Sequence, residues 1–384
     1  MGFHFQFVVQ SVLRAGLKPA VYSRRDRGYP DAGFTTVHRI PAPSWHRAIP
    51  YSPLRWMPSA VVYEDCCRFD REVARLLPTD VSVYHSFPGF AEASFRRVKS
   101  LGGTTVLEAA TVHVAELYAI SEKEHQLRNI RGNAFSRRWT ERVIREYELA
   151  DHITVASRLQ FESLVRNGVP ASKLIMAPLG VDTKHFYPFA SDREDKSGRF
   201  RVIQVGQVSL LKGVPYLLDA LLALNDPDVE LVLLGGVGWR AIRDLIATYV
   251  KRGLNIRLEV GDPLPALRTA HVCVHATLSD GFGMAPLEAM ATGLPVIVTE
   301  QTGMKDLVQS GVNGYIVSAK NSVEIAEKIR DLKGTEMRRL AMGKAARLTA
   351  KNYALLGRQD AYAEALSEIW MRARQKQTAR LASR

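Results

Sequence analysis

The sequence predicts an α/β protein built from two Rossmann-like, doubly wound domains that face a cleft. Three observations carry this expectation. The chain has 384 residues, too many for one ordinary core and comfortable for two. Its second half alternates short β-branched runs with helical stretches over short links, the pattern of a parallel sheet with helices on both faces. A polar, proline-bearing stretch at 186–200, FYPFASDREDKSGRF, separates the halves and reads as a linker.

Taken in order, the first domain covers 1–185. Gly2-Phe3-His4 looks like a glycine turn and FQFVVQSVLRAG like the helix after it. A doubly wound domain has a central strand before that turn, and losing it leaves backbone groups unpaired. The expectation is therefore a native start upstream of Met1. VSVYHSF, TTVLEA, HITVAS and LIMAPLG read as strands; ASFRRVKSLGG, RWTERVIREYELAD and RLQFESLVRNG read as helices. The second domain covers 201–350. Its strands are RVIQVG, VELVLLGG, IRLEVG, HVCVHA, PVIVTE and GYIV; its helices are VPYLLDALLAL, WRAIRDLIATYVKRG, PLEAMATG, MKDLVQSG and VEIAEKIRDL. The segment 351–384 is expected to continue the last helix into a basic tail. No internal repeat is visible.

Composition bounds the class. Hydrophobic content of 46% and charged content of 24% suit a soluble globular chain. No apolar run reaches membrane-span length, and no secretory signal stands at the start. Cys66, Cys67 and Cys273 fit neither a metal spacing nor a disulfide framework and read as structural thiols of a reducing cytoplasm. The net charge of +13 gathers at Arg14, Lys18, Arg24, Arg25, Arg27, Arg39, Arg47 and Arg55, with Trp45 and Trp56 among them, and again at Arg372, Arg374, Lys376, Arg380 and Arg384. No nucleic-acid motif accompanies it, so nucleic acid is not an expected partner. Basic residues interleaved with tryptophan suit an anionic membrane surface. The expected location is cytoplasmic, peripheral at the inner face of the membrane.

The segment from Val274 to Ile316 bears most on function. A buried strand ends near Ala276, and Asp280 follows before Gly281-Phe282-Gly283. The two glycines are expected to adopt backbone angles closed to other residues. Pro286 suits a first helical turn, and Gly293 with Pro295 ends that helix. The N–H groups of Gly283, Met284 and Ala285 then point from a helix N-terminus, which attracts phosphate. Glu288 is placed in the first turn, where the dipole favours its charge and where a carboxylate can accept hydrogen bonds from a ribose diol. This constellation suits a sugar-bearing diphosphate. Taken singly, Glu288 reads as a helix-start charge and Asp280 as a turn residue; the shared setting favours the ligand site.

Other candidates lie at strand ends. Gly206-Gln207-Val208-Ser209-Leu210-Leu211-Lys212-Gly213 follows the first strand of the second domain, where a lysine can neutralise a diphosphate. His113 is expected at the carboxyl edge of the first sheet, facing the cleft; His85 is a weaker cleft candidate, and Glu116 could orient His113. Gly236-Val237-Gly238-Trp239-Arg240-Ala241 with Glu259 beyond imitates a dinucleotide fingerprint. That strand is the second of its domain, which argues against it.

The segment around Asp280 and Glu288 resembles the nucleotide-sugar signature of retaining, family-four glycosyltransferases of the GT-B fold (glycosyl transferases group 1). That signature is Glu-x7-Glu, followed by Ala-Met-Ala-x-Gly-x-Pro-Val-Ile and a later Asp-Leu-Val…Gly-x-Asn-Gly stretch. Asp280 replaces its first glutamate, which sets the carboxylate about 1 Å back, and Gln207 replaces the usual arginine. EYELADHITVAS with APLGVD resembles the end of the family's first domain, and Gly180, Val181 and Asp182 would lie at the hinge.

The resemblance implies that Glu288 binds the ribose, that Asp280 and the amides of Gly281, Phe282, Gly283 and Met284 hold the sugar, and that Gln207 and Lys212 meet the phosphates. It implies a sugar contact for His113, a nucleobase near Gly236, Val260 and Gly261, and a last helix crossing back onto the first domain. The implied reaction is retaining transfer of a sugar from a nucleotide-sugar donor to a glycan or lipid-linked acceptor, as in cell-surface polysaccharide synthesis. No metal or other cofactor is expected. A non-catalytic binding protein of this fold and a nucleotide-sugar epimerase are the alternatives.

Overall fold

The structure, a computed structural model, describes residues 2–24, 36–41, 58–130, 132–188 and 198–382. The core of the expected linker, 189–197, lies outside them, as do Arg25, Arg27, Arg47, Arg55, Trp45, Trp56 and Arg384 of the basic clusters.

The first half runs α1 (Gly2–Arg14), β1 (Ala20–Ser23), β2 (Thr36–Arg39), α2 (Pro58–Leu76), β3 (Val83–Ser86), α3 (Glu92–Ser100), β4 (Thr104–Glu108), α4 (Val114–Leu127), α5 (Arg137–Leu149), β5 (His152–Val155), α6 (Arg158–Arg166) and β6 (Leu174–Met176). β3-β4-β5-β6 form one parallel sheet, while β1 and β2 pair parallel in a separate one. Among the described residues no ladder joins the two, in keeping with the gap expected where a central strand would lie. Against β3 lies α13 (Leu355–Ala382), which packs on α1, with Phe7 and Tyr362 edge to face at 5.4 Å. Buried ion pairs knit the back of this half. Arg142 on α5 meets Asp70 of α2 and Glu146 of its own helix, and Glu146 accepts from the N–H groups of Gly89 and Ala91.

The second half runs β7 (Phe200–Val205), α7 (Val214–Leu224), β8 (Val229–Leu234), α8 (Arg240–Lys251), β9 (Asn255–Glu259), α9 (Pro263–Thr269), β10 (Val272–His275), α10 (Met284–Ala291), β11 (Val296–Thr299), β12 (Gly314–Val317), α11 (Ser322–Gly334) and α12 (Glu336–Lys351). The order β12-β11-β10-β7-β8-β9 is wholly parallel. β7, β8, β10 and β11 are buried at every residue, as strands covered on both faces must be. The order reverses between β7 and β10, so their carboxyl ends open the crevice where such sheets bind ligands.

Two expected elements differ. MKDLVQSG forms only a short 3-10 turn, Gly303–Asp306, because the segment serves contacts between the halves. The Asp306 carboxylate accepts from the Arg158 N–H at the start of α6, and a Cβ on Gly303 would stand 2.6 Å from Ser157 Cβ of the first half. The tail does not continue α12. Val181 donates to the Tyr353 carbonyl and accepts from the Leu355 N–H, which takes backbone groups a continuous helix needs. α13 therefore starts afresh and lies on α1. The two halves also meet where the Ser157 hydroxyl donates to the Gly281 carbonyl, and where Glu124 accepts from Tyr216 and Lys320. No helix among the described residues is long and apolar enough to cross a membrane. Of the basic cluster, Arg14 pairs with Asp360 and Arg24 with Asp65.

Candidate functional site

Two adjoining cavities open at the switch point. One, of 310 Å³, lies between the halves and brings together Lys212, His275, Asp280, Gly283–Ala285 and Glu288 from the second half with Phe3, His4 and Gln160 from the first. The other, of 470 Å³, lies above β7 and β8 among Gly206, Gln207, Gly236, Gly238 and Gly261. Val205 and Gly206 line both, so they form one trough.

The loop after β10 supplies the acid. Asp280 pairs with Lys212, and its Oδ2 also accepts from His275 Nε2 at 2.9 Å. Its Oδ1 has no hydrogen-bond partner among the described residues. Burial opposes ionisation, but the Lys212 charge and both hydrogen bonds outweigh it and hold this carboxyl well below the usual range. Burial also lowers the pKa of His275 against the pull of Asp280, which keeps the ring neutral with its Nε2 proton on the carboxylate. The composition of β10 hid His275. The signal was a polar ring closing an apolar strand, five residues before the acid.

The glycines act differently from one another. Gly283, at φ 95°, adopts the left-handed conformation and caps α10. Gly281 does not; it is needed for space, since a Cβ there would meet Gln160 Nε2 at 2.4 Å and the Ala110 carbonyl at 2.8 Å. Gly281 thus lets the halves approach and lines neither cavity. Phe282 is buried in the core beside the site, and Gly283, Met284 and Ala285 present the helix N-terminus to the cavity.

Glu288 is not in the first turn of α10 but one turn deeper, where the dipole gives little. Its carboxylate has no hydrogen-bond partner among the described residues. Burial, with some repulsion from Asp262, pushes its pKa up to about 7.

Several expected roles lack the expected geometry. His113 does not face the cleft. It caps α4, accepting from the Ala115 N–H with Nδ1, lies tilted against the Tyr147 ring at 5.0 Å and is buried. A histidine before a helix is a ready N-cap, and that local bond wins. Glu116 is held by Ser163, Arg166 and Asn167. His85 lies behind the cavity wall against Glu108. Gln207 lines the outer cavity, apart from Lys212 and Asp280 in the inner one. Gly236 and Gly261 line the outer cavity too, whereas Val260 is 84% exposed and lines neither. Glu259 pairs with Arg257. No group of three or more metal-ligating side chains occurs among the described residues.

Residues 189–349 match the family described as Glycosyl transferases group 1. The D-inositol 3-phosphate glycosyltransferase of Xylanimonas cellulosilytica is 29% identical over 262 residues, covering 62% of each chain. The capsular polysaccharide biosynthesis glycosyltransferase CapM of Staphylococcus aureus is 27% identical over 216 residues, covering 53% of this chain and 57% of that one. The chain thus spans somewhat more than half the length of these relatives. Two solved structures share the fold across nearly the whole chain. Anabaena HepE, in complex with UDP and glucose, superposes with a TM-score of 0.69 at 15% identity, covering 94% of this chain and 95% of that one. Sucrose-phosphate synthase of Thermosynechococcus elongatus gives 0.73 at 19% identity, covering 96% and 93%. The fold is GT-B. The match to the group 1 glycosyltransferases lies on residues 189–349, the second half that carries Lys212, Asp280 and Glu288.

Proposed function

We propose that this chain transfers a sugar from a nucleotide-sugar donor to a hydroxyl of a glycan or lipid-linked acceptor, with retention of configuration. The observation that carries the reading is the meeting of Asp280, Lys212, His275, the α10 amides and Glu288 in one trough at the switch point. Glu288 accepts the ribose hydroxyls. The nucleobase lies in the outer cavity against backbone of Gly236 and Gly261. Lys212 and the amides of Gly283–Ala285 meet the diphosphate, whose charge grows as the sugar leaves. Asp280 Oδ1 accepts from a sugar hydroxyl. The acceptor oxygen bonds to the anomeric carbon on the face from which the diphosphate departs. The bond from that carbon to the phosphate oxygen breaks, and the acceptor proton passes to that oxygen. HepE in complex with UDP-glucose, a protein of the same fold, supports a uridine donor class, and CapM supports a polysaccharide acceptor.

The test is thermal stabilisation by UDP, GDP, ADP and NAD of the chain and its Glu288→Ala variant. A ligand at 100 times its Kd stabilises by about 2.7 kcal/mol. A shift with one nucleoside diphosphate, lost in the variant, is expected. A shift with NAD alone, or none at all, overturns the assignment.

A further inference from the structure

The first-half wall of the inner cavity is nearly without free polar side chains. Phe3, Ala110, Ala156 and Leu179 are apolar. The Gln160 amide is engaged on both sides: its Nε2 donates to the Ala109 and Thr111 carbonyls, and its Oε1 accepts from the Ala156 N–H. One titratable side chain remains there, His4 in the first turn of α1.

His4 is not loosely placed. Its Nε2 lies 2.7 Å from Glu108 Oε1, and its ring stands edge to face on Phe87 at 5.4 Å. Glu108 ends β4 and is 2% exposed. Its Oε2 accepts from His85 Nε2 at 3.0 Å, from the Tyr362 hydroxyl at 2.5 Å and from the Thr154 hydroxyl. Elements from four parts of the first half and the crossing α13 thus converge on one carboxylate. Burial opposes its charge, yet the two histidines more than offset burial, so Glu108 is ionised. An ionised carboxylate only accepts, so the His4 Nε2 facing it carries the proton. In the neutral ring Nδ1 is then an acceptor lone pair, and it has no partner among the described residues. The network fixes both the orientation and the tautomer of His4.

We infer that His4 Nδ1 is where the cleft receives the acceptor hydroxyl: it accepts a hydrogen bond from the O–H of a sugar or polyol and thereby positions that oxygen across the cavity from Asp280. Glu108 is the residue that positions His4. Among the described residues this wall carries no lysine or arginine, so the group received is an uncharged hydroxyl rather than a phosphate. This rests on the glycosyl-transfer reading above.

The test uses the full chain, with calorimetric Kd values for the nucleoside diphosphate that stabilises it and transfer from its glucose conjugate to glycerol as the probe alcohol. His4→Phe keeps the ring against Phe87 and removes the nitrogen; His4→Asn restores an acceptor oxygen. The expected result is a nucleotide Kd within twofold of the parent in both variants. The kcat/KM for glycerol falls at least tenfold in His4→Phe, chiefly through KM, and recovers in part in His4→Asn. Undiminished transfer by His4→Phe overturns the inference alone, and so does lost nucleotide binding. A parent chain that neither binds nucleotide nor turns over donor overturns the function reading, and the inference with it.

Discussion

Glu288→Gln should make the ligand-free protein more stable and a poorer nucleotide binder, with a pH signature that names the cause. Burial lifts the Glu288 carboxyl from 4.5 to about 7. At 1.36 kcal/mol per pH unit this is a cost of ~3 kcal/mol for carrying the ionised form inside the fold. The sign follows from linkage. The folded value lies above the unfolded one, so the stabilising contribution is fully present below pH 4.5 and is lost as pH rises through about 7. Glutamine has the same shape and no charge. The variant therefore gains up to ~3 kcal/mol at pH 8, and less than ~1 kcal/mol at pH 5. In a domain of this size each kcal/mol moves Tm by about 2–4 °C. A rise of ~5 °C or more at pH 8, shrinking at pH 5, is what scanning calorimetry should record.

Binding runs the other way. A ribose diol donates to the ionised carboxylate, so nucleotide affinity of the parent chain rises with pH towards 7 and above, and binding near pH 6.5 releases protons. Titrations in two buffers of different ionisation enthalpy measure that release. Equal Tm differences at pH 5 and pH 8, or nucleotide binding without proton release, would refute the argument that Glu288 is held protonated and empty-handed until the diol arrives.

Three further expectations follow from the geometry. Asp280→Asn removes the charge that Lys212 now faces; nucleoside diphosphate binding should be unchanged or tighter, while donor turnover falls about a hundredfold, as for loss of one preorganised charge or donor. Gly281→Ala forces a Cβ against Gln160 and the Ala110 carbonyl; small-angle scattering should show the halves further apart, and a compact, fully active variant would contradict the packing argument. Arg142→Ala strips the partner from Asp70 and Glu146; urea unfolding should show a loss of about 3–5 kcal/mol at pH 8. The loss is smaller at pH 5, because burial already holds Glu146 at about 7 and lets it take a proton.

The second half was far more legible in the sequence than the first. Its four central strands, β7, β8, β10 and β11, are buried at every residue and so read as mainly apolar runs, and α7 covers the stretch read as a helix, VPYLLDALLAL. β1 and β2 are four residues each and carry Arg39 and His38, too short and mixed for a period to show. α2 was hidden because its buried face holds Cys66, Cys67 and Asp70, and a buried aspartate means nothing until Arg142 is found 72 residues away. The same limit applied at the site. Asp280 and Glu288 were visible because loop and helix are local. His275 was missed because the loop's fold, which its sequence does not spell out, turns Asp280 back onto the ring, and His113 was misplaced because a capping bond to the Ala115 N–H competes with the cleft.

The departures from the family signature are intelligible as one arrangement. A shorter acid at 280 and a glutamine at 207 remove a methylene and a cation from the proposed donor site. The structure answers both at Lys212. An ammonium carries three N–H donors, so Lys212 can hold Asp280 Oδ2 and still donate to a diphosphate. His275 takes the same oxygen and adds no charge, which leaves Oδ1 without a hydrogen-bond partner among the described residues. A guanidinium in place of Lys212 is planar and would engage both carboxylate oxygens at once, closing off the atom proposed to receive a sugar hydroxyl. Neutral His275 matters equally: a charged ring there would compete with the lysine for Asp280. In the proposed reaction the short acid stays usable because it is clamped at one oxygen only, by a point charge that has hydrogen-bonding capacity left over.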